Sequence, residues 1–206
     1  PMRYLLTMLF LGVMLGADLS VEAIVDSMIK VMSPENARSS TRQVNINAEG
    51  DERILEYEYY STGMGEHILM RYISPRKIKG NAFLIRNHSD DIWVYFPRTR
   101  RTRKLASHAR RQKVQGSQFS YEDFAGGETW RDDYRHRLVP TDSDSVYTIE
   151  FIPGDDTESA YSSMLIHVRK HDFFPVQIDY FDEKERKEKS LLLEDIQEIE
   201  SIPTAM

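Results

Sequence analysis

The chain has 206 residues, no cysteine, 27 Lys and Arg against 33 Asp and Glu, and 40% hydrophobic residues. That length and apolar share fit one globular domain with a sizeable core, while the missing cysteine excludes a disulfide framework, a thiolate metal site, a cysteine nucleophile and a lipidated N-terminal cysteine. A net charge of −6 argues against a general nucleic-acid binder, whose footprint is a basic domain. The charge is uneven: residues 98–113 carry eight cations and no acid, which leaves −14 on the other 190 residues.

Pro1 stands ahead of an initiator-type Met2 and is set aside as foreign to the fold. One cation, Arg3, then an apolar run from Tyr4 to Leu15 and a small residue, Ala17, make the layout of a secretory signal peptide over residues 1–17. An uncleaved anchor and a buried N-terminal helix are the alternatives, but the run is short of the roughly 20 apolar residues a spanning helix needs. The mature chain is expected to begin near Asp18, in the periplasm.

From Asp18 to Met32 the apolar residues Val21, Ile24, Val25, Met28, Ile29 and Met32 recur at helical spacing, so an amphipathic helix is expected there. Asp18 or Ser20 can cap its start, and Ser33-Pro34 ends it. Its exposed residues Glu22, Asp26 and Lys30 are not the cationic face of a membrane-surface helix.

Beyond Ser40 the period becomes two. Val44, Ile46 and Ala48 alternate with polar residues, as do Leu55, Tyr57 and Tyr59, and a turn at 62–65 leads into Ile68–Ile73. Further runs are Ala82–Arg86, Ile92–Phe96, Tyr134–Val139, Val146–Ile152, Tyr161–Val168, Phe173–Phe181 and Lys187–Ile199, and a short helix is expected at Ser117–Phe124, after Gly116. Short links between neighbours imply an antiparallel meander. The strands at 82–86 and 92–96 are apolar on both faces, which demands cover on each. One four-turn helix cannot supply it for about ten strands, so the sheet must curl round its own interior.

Catalytic signatures are missing. There is no Gly-x-Ser-x-Gly elbow, phosphate loop or His-Glu-x-x-His pair. His167 and His171 would lie roughly 13 Å apart along a strand, too far for one ion. No enzyme, cofactor or metal is expected. The basic stretch 98–113 reads either as a solvated loop with an edge strand or as a patch for anionic head groups or an acidic partner. Nucleic acid is disfavoured, because interleaved aromatics are lacking.

Trp93-Val-Tyr95-Phe-Pro97, an Arg-rich run and Gly116-Ser-Gln-Phe119-Ser-Tyr121-Glu122-Asp123-Phe124 together resemble the LolA-like outer membrane lipoprotein-sorting proteins. Phe174-Pro175-Val-Gln-Ile-Asp-Tyr180 and Ile202-Pro203-Thr204 are similar to that family too. The resemblance implies a mainly β (α+β) fold: an N-terminal helix and a strongly curved antiparallel half-barrel of about ten strands with a short covering helix, in one domain over 18–206. It also implies an apolar cavity that carries acyl chains of a lipid or acylated lipoprotein through the periplasm towards the outer membrane. Partners of that kind are an inner-membrane transporter or an outer-membrane acceptor. Family members usually continue beyond the Ile-Pro-Thr segment with further strands, so a C-terminally shortened domain is one expectation.

The expected cavity residues are Leu55, Tyr57, Tyr59, Leu69, Phe83, Ile85, Trp93 and Tyr95, with Phe119 and Phe124 from the covering helix. By the same resemblance Arg71 is the counterpart of a gating arginine. Arg98, Arg100, Arg101, Arg103 and Lys104 are the expected docking residues for head groups or a partner. The alternative function is a non-enzymatic periplasmic interaction module that docks on a membrane protein through the basic loop and carries no lipid.

Overall fold

The structure is a computed structural model that describes residues 19–87, 91–106, 111–114, 117–124, 128–199 and 202–204. The expected signal peptide, its cleavage point, Asp18, the loop tip at 88–90 and Gly116 lie outside the described residues. None of the helices among the described residues is long and apolar enough to cross a membrane.

Helix α1 (Val21–Met32) forms where the spacing places it. Ser20 is the cap, its Oγ accepting the Ala23 amide at 3.2 Å, and the Ser33 amide closes the other end on the Ile29 carbonyl at 2.9 Å. Ile24, Val25, Met28 and Ile29 are buried.

The strands are antiparallel throughout, but they divide into two main sheets instead of one. The first has six strands in sequence order: β1 (Asn36–Ile46), β2 (Glu52–Thr62), β3 (His67–Ser74), β4 (Ala82–Arg86), β5 (Asp91–Phe96) and β6 (Arg101–Lys104). After the short helix α2 (Glu128–Asp132) come β7 (Tyr134–Val139), β8 (Val146–Pro153), β9 (Ser163–Arg169), β10 (Pro175–Phe181) and β11 (Lys187–Leu192), a second meander. A ribbon of β12 (Gln197–Ile199) and β13 (Ile202–Thr204) follows. The sheets do not close into a barrel. The hydrogen-bonded ladder stops at β6, and Val114 and Tyr121 lie against the sheet's inner face. The run expected at Lys187–Ile199 breaks into β11 and β12, with Asp195 in the left-handed region at φ 49° between them.

Each sheet builds its own core. In the second, α1 and Trp130 lie on Ile149, Phe151, Met164, Ile166, Val168, Ile178 and Tyr180. In the first, Leu55, Tyr57, Ile68, Met70, Tyr72, Phe83, Ile85, Ile92 and Val94 meet Ile78, Val114 and Tyr121. The helix expected at Ser117–Phe124 is reduced to one 3-10 turn at Glu122–Phe124. Local side chains take the amides a helix would use: the Phe119 amide donates to Ser117 Oγ at 3.1 Å and the Ser120 amide to Asp123 Oδ2 at 2.6 Å.

The second core predicts two measurable costs. Phe151→Ala, which removes a fully buried ring beside Trp130, should lower the unfolding free energy by about 3–5 kcal/mol in urea titration. Ser20→Ala should cost about 1 kcal/mol, the loss of one cap.

Candidate functional site

The inner face of the first sheet is a file of rings. Tyr57 meets Tyr72 edge-on at 5.7 Å between centroids, and Tyr72 lies 6.5 Å from Phe83. Alternation puts these residues on one side, since Leu55, Tyr57 and Tyr59 are two apart on β2 and pair across to β3, which pairs to β4. Over them lies the segment 111–124. It is folded on itself, with the Val114 amide donating to the Phe119 carbonyl at 2.7 Å and Lys113 bridged to Ser120. The segment touches the sheet through side chains: Tyr121 sits edge-on against Phe83 at 5.4 Å and Phe124 against the same ring at 5.6 Å. The file ends at Phe119, 6.0 Å beyond Phe124.

What holds this cover comes from the other sheet. Lys189 of β11 reaches across, its side chain 8% exposed, and donates to Asp123 Oδ2 at 2.6 Å, to Tyr161 Oη at 2.6 Å and to the Gln118 carbonyl at 3.1 Å. Three rings surround its ammonium: Tyr180 at 4.4 Å, Phe119 at 4.5 Å and Tyr161 at 4.8 Å. Asp123 is 1% exposed, and its Oδ2 also accepts from the Tyr161 hydroxyl at 3.1 Å and the Ser120 amide. Burial pulls the Lys189 ammonium below its ordinary pKa, opposed by the charge of Asp123. Burial, then the adjacent Asp123 carboxylate, drives the Tyr161 hydroxyl far up. Two exposed contacts add to the tie, Lys113–Glu188 at 3.7 Å and Arg111–Glu158 at 3.9 Å.

The expected cavity residues separate into two groups. Leu55, Tyr57, Phe83 and Ile85 are buried on the inner face, with Tyr59 partly buried beside them and Phe119 and Phe124 in the cover. Leu69, Trp93 and Tyr95 do not belong with them. They lie on the outer face, 40%, 38% and 37% exposed. Their neighbours one residue away, Ile68, Met70, Ile92 and Val94, hold the inner places. A strand apolar on both faces gives no sign of which face turns inward. Arg71, the expected gate, is also corrected: it is on the outer face, exposed and ion-paired to Glu58 across the β2–β3 ladder. The residues expected to dock head groups or a partner are exposed. Arg98 and Arg100 occupy the exposed β5–β6 turn, and Arg101, Arg103 and Lys104 form the edge strand β6. Arg103 lies over the Phe96 ring at 5.6 Å and Lys104 pairs with Asp91.

A family model with the description "Uncharacterized protein" matches residues 65–206, more than half of the chain. Solved structures share the architecture. A putative outer membrane lipoprotein-sorting protein domain from Vibrio parahaemolyticus superposes with a TM-score of 0.72 at 23% identity, over 88% of this chain and 80% of that one. A DUF1329 family protein from Desulfovibrio piger gives 0.76 at 25% identity, over 90% and 83%. A LolA superfamily protein from Nitrosomonas europaea gives 0.69 at 20% identity, over 91% and 83%. The chain belongs to the family of that model and has the LolA-like fold. No curated protein matches it.

In this LolA-like chain the Phe-Ser-Tyr-Glu-Asp-Phe segment is the part that seats the cover: Tyr121 and Phe124 face the first sheet while Asp123 takes Lys189. Lys189 escaped the sequence reading because it stands in Lys-Glu-Arg-Lys-Glu-Lys-Ser, a run of charges that reads as surface. The two histidines considered as metal ligands go separate ways, His167 to Thr148 Oγ1 at 3.1 Å within the sheet and His171 to Asp172 at 3.4 Å in a turn. Among the described residues no three His, Asp or Glu stand close enough to hold a metal ion.

Lys189→Met leaves the Asp123 carboxylate buried and unpaired, and should cost about 3–5 kcal/mol. Adding Asp123→Leu should recover a large part of that loss in a denaturant-based double-mutant cycle. Alkali tests the buried phenols. Tyr57 is pushed up to about 12 by burial and Tyr161 higher. Both are neutral in either state below the ordinary tyrosine value of about 10. Above it the unfolded chain ionises first, so stability should fall as pH rises from about 10 to 12. Near-UV absorbance should then reveal late-ionising phenols appearing together with the loss of tertiary circular dichroism.

Proposed function

We propose that this chain is a non-enzymatic periplasmic carrier that lays the acyl chains of a lipid or acylated lipoprotein on the inner face of its first sheet and delivers them towards the outer membrane. The observation that carries the reading is the kind of cover that face has. A continuous apolar file from Tyr57 to Phe124 is roofed by a self-folded segment, which meets the sheet through side chains and is tied to the second sheet by Lys189. Such a roof lifts without breaking a strand ladder. The cargo then takes the places of Phe119, Tyr121 and Phe124. Each buried CH₂ contributes about 0.8 kcal/mol, so a ten-carbon chain offers on the order of 8 kcal/mol against the cost of displacing the cover and ordering the chain. The fold shared with a lipoprotein-sorting domain supports the same reading. The arginines of 98–103 are the docking charges for the transporter or acceptor that hands over or receives the cargo.

A second reading has its own observation. Phe83, Ile85, Ile92 and Val94 are already buried by the protein's own side chains, as an interaction module without cargo requires.

Mass spectrometry of lipids extracted from protein purified out of the periplasm separates the two. Acyl-bearing molecules should accompany the wild type, and Phe83→Ser should lose them. Replacing Arg98, Arg100, Arg101 and Arg103 with Ser should leave the cargo in place and slow its transfer to acceptor vesicles. A wild-type protein free of acyl compounds, both as isolated and after incubation with lipid, overturns the carrier and leaves the module.

A further inference from the structure

The outer face of the first sheet is left uncovered by the cover segment, and beside its polar positions at Ser40, Glu56, Glu58 and Arg71 it carries an apolar row. Register places six side chains in one row across the whole sheet: Arg38, Tyr60, Leu69, Leu84, Trp93 and Lys104. The row is apolar and aromatic in the middle and cationic at both ends. Arg38 stands over the Tyr60 ring at 5.4 Å and Lys104 over Trp93 at 6.0 Å. In the adjacent row Tyr95 and Ala82 continue the apolar surface beside the Arg71–Glu58 pair. Leu69 and Trp93 are each more than a third exposed. Exposed apolar surface of this continuity, rimmed by charge, marks a contact surface.

We infer that this outer face docks on an anionic lipid bilayer, Trp93, Tyr95 and Leu69 entering the head-group region while the cations at the rim meet phosphates. Charge decides between occupants. Laid on a second copy of itself, the row brings cation against cation whether the rows run parallel or reversed, because both of its ends are positive. A bilayer surface offers the complement, negative groups over an apolar layer. Tryptophan and tyrosine favour that depth, having an apolar body and a polar edge. Arg71 and Lys104 share their charge with Glu58 and Asp91 within the sheet. Arg38 on the same face, with Arg98 and Arg100 in the β5–β6 turn, adds three cations, while Arg101 and Arg103 pair in register with the inner-face Phe96 and Val94. This use of the outer face is independent of what the inner face carries.

The test is co-sedimentation of the purified chain with phosphatidylcholine vesicles, with and without phosphatidylglycerol. Wild type should bind the anionic vesicles, and binding should weaken as salt is raised. The pair Leu69→Ser, Trp93→Ser should weaken it about tenfold, with the thermal unfolding midpoint and the acyl content unchanged. Four results overturn the inference: equal vesicle binding by the double variant, equal binding to neutral vesicles, loss of acyl content in the double variant, or a wild-type dimer that the double variant converts to monomer. The last would assign the face to a second copy. Loss of cargo from Phe83→Ser with vesicle binding intact bears on the carrier reading alone and supports the outer face as a separate site.

Discussion

The structure depends on one buried charge. The Lys189 side chain joins the cover at Phe119 and Asp123 to the rings of Tyr161 and Tyr180. Taking an ammonium and a carboxylate out of water costs several kcal/mol each, and an ion pair alone seldom recovers it. Here the cost is met by number. The ammonium has three hydrogen-bond acceptors and three ring faces, and Asp123 Oδ2 gathers three donors. Among the described residues, Asp123 Oδ1 has no hydrogen-bond partner. The cluster is therefore strong in place and poor in tolerance: a displacement of the cover strands both charges. That asymmetry is what a roof needs if it is to stay shut until a competing apolar chain repays its opening.

Two separate cores make the arrangement mechanically sensible. Helix α1 belongs to the second sheet and is locked there by its own apolar stripe and by the Asp26–Arg131 pair at 2.7 Å. Among the described residues no α-helix lies on the first sheet, whose core is covered by Ile78 and by side chains of residues 111–114 and 117–124. A rigid half thus carries Lys189, and a half with an irregular roof carries the ring file. The cover meets the first sheet through side chains, outside the ladder of either sheet.

Much of this was legible in the sequence, and the failures have physical causes. The helix with Ser20 as cap and the meander follow from period and turn chemistry, which act locally. The division into two sheets does not, since the run of strands looks the same whether or not β6 and β7 pair. On β5 both Ile92-Val94-Phe96 and Trp93-Tyr95 are apolar, so alternation identified two faces without identifying the inner one. The cover decides that question, and its position is a tertiary fact. Arg71 as a gate rested on the resemblance alone, which does not say towards which face a β3 side chain points. The partner of Asp123 was hidden more deeply, because burial of Lys189 is created by rings from three distant segments.

The two outer faces of the molecule set each other in relief. On the second sheet, cross-strand pairing brings Thr148 to His167 and His167 to Gln177, while Asp179 accepts from Gln177, Lys187 and Ser190. Arg137 and Glu150 pair on the same side. Polar pairs therefore run through that face, with Leu165 between Glu150 and Asp179 and Leu192 beside Gln177. The first sheet has the same antiparallel architecture and, among the described residues, forms polar pairs on that face at Arg71–Glu58, Lys104–Asp91 and Thr62–Asn36. Its central positions are Leu69, Leu84 and Trp93 instead. The architecture therefore does not impose an apolar outer face. It appears on the sheet that also bears the ring file and the arginine turn, so a single layer of backbone there separates a buried aromatic face from an exposed apolar row.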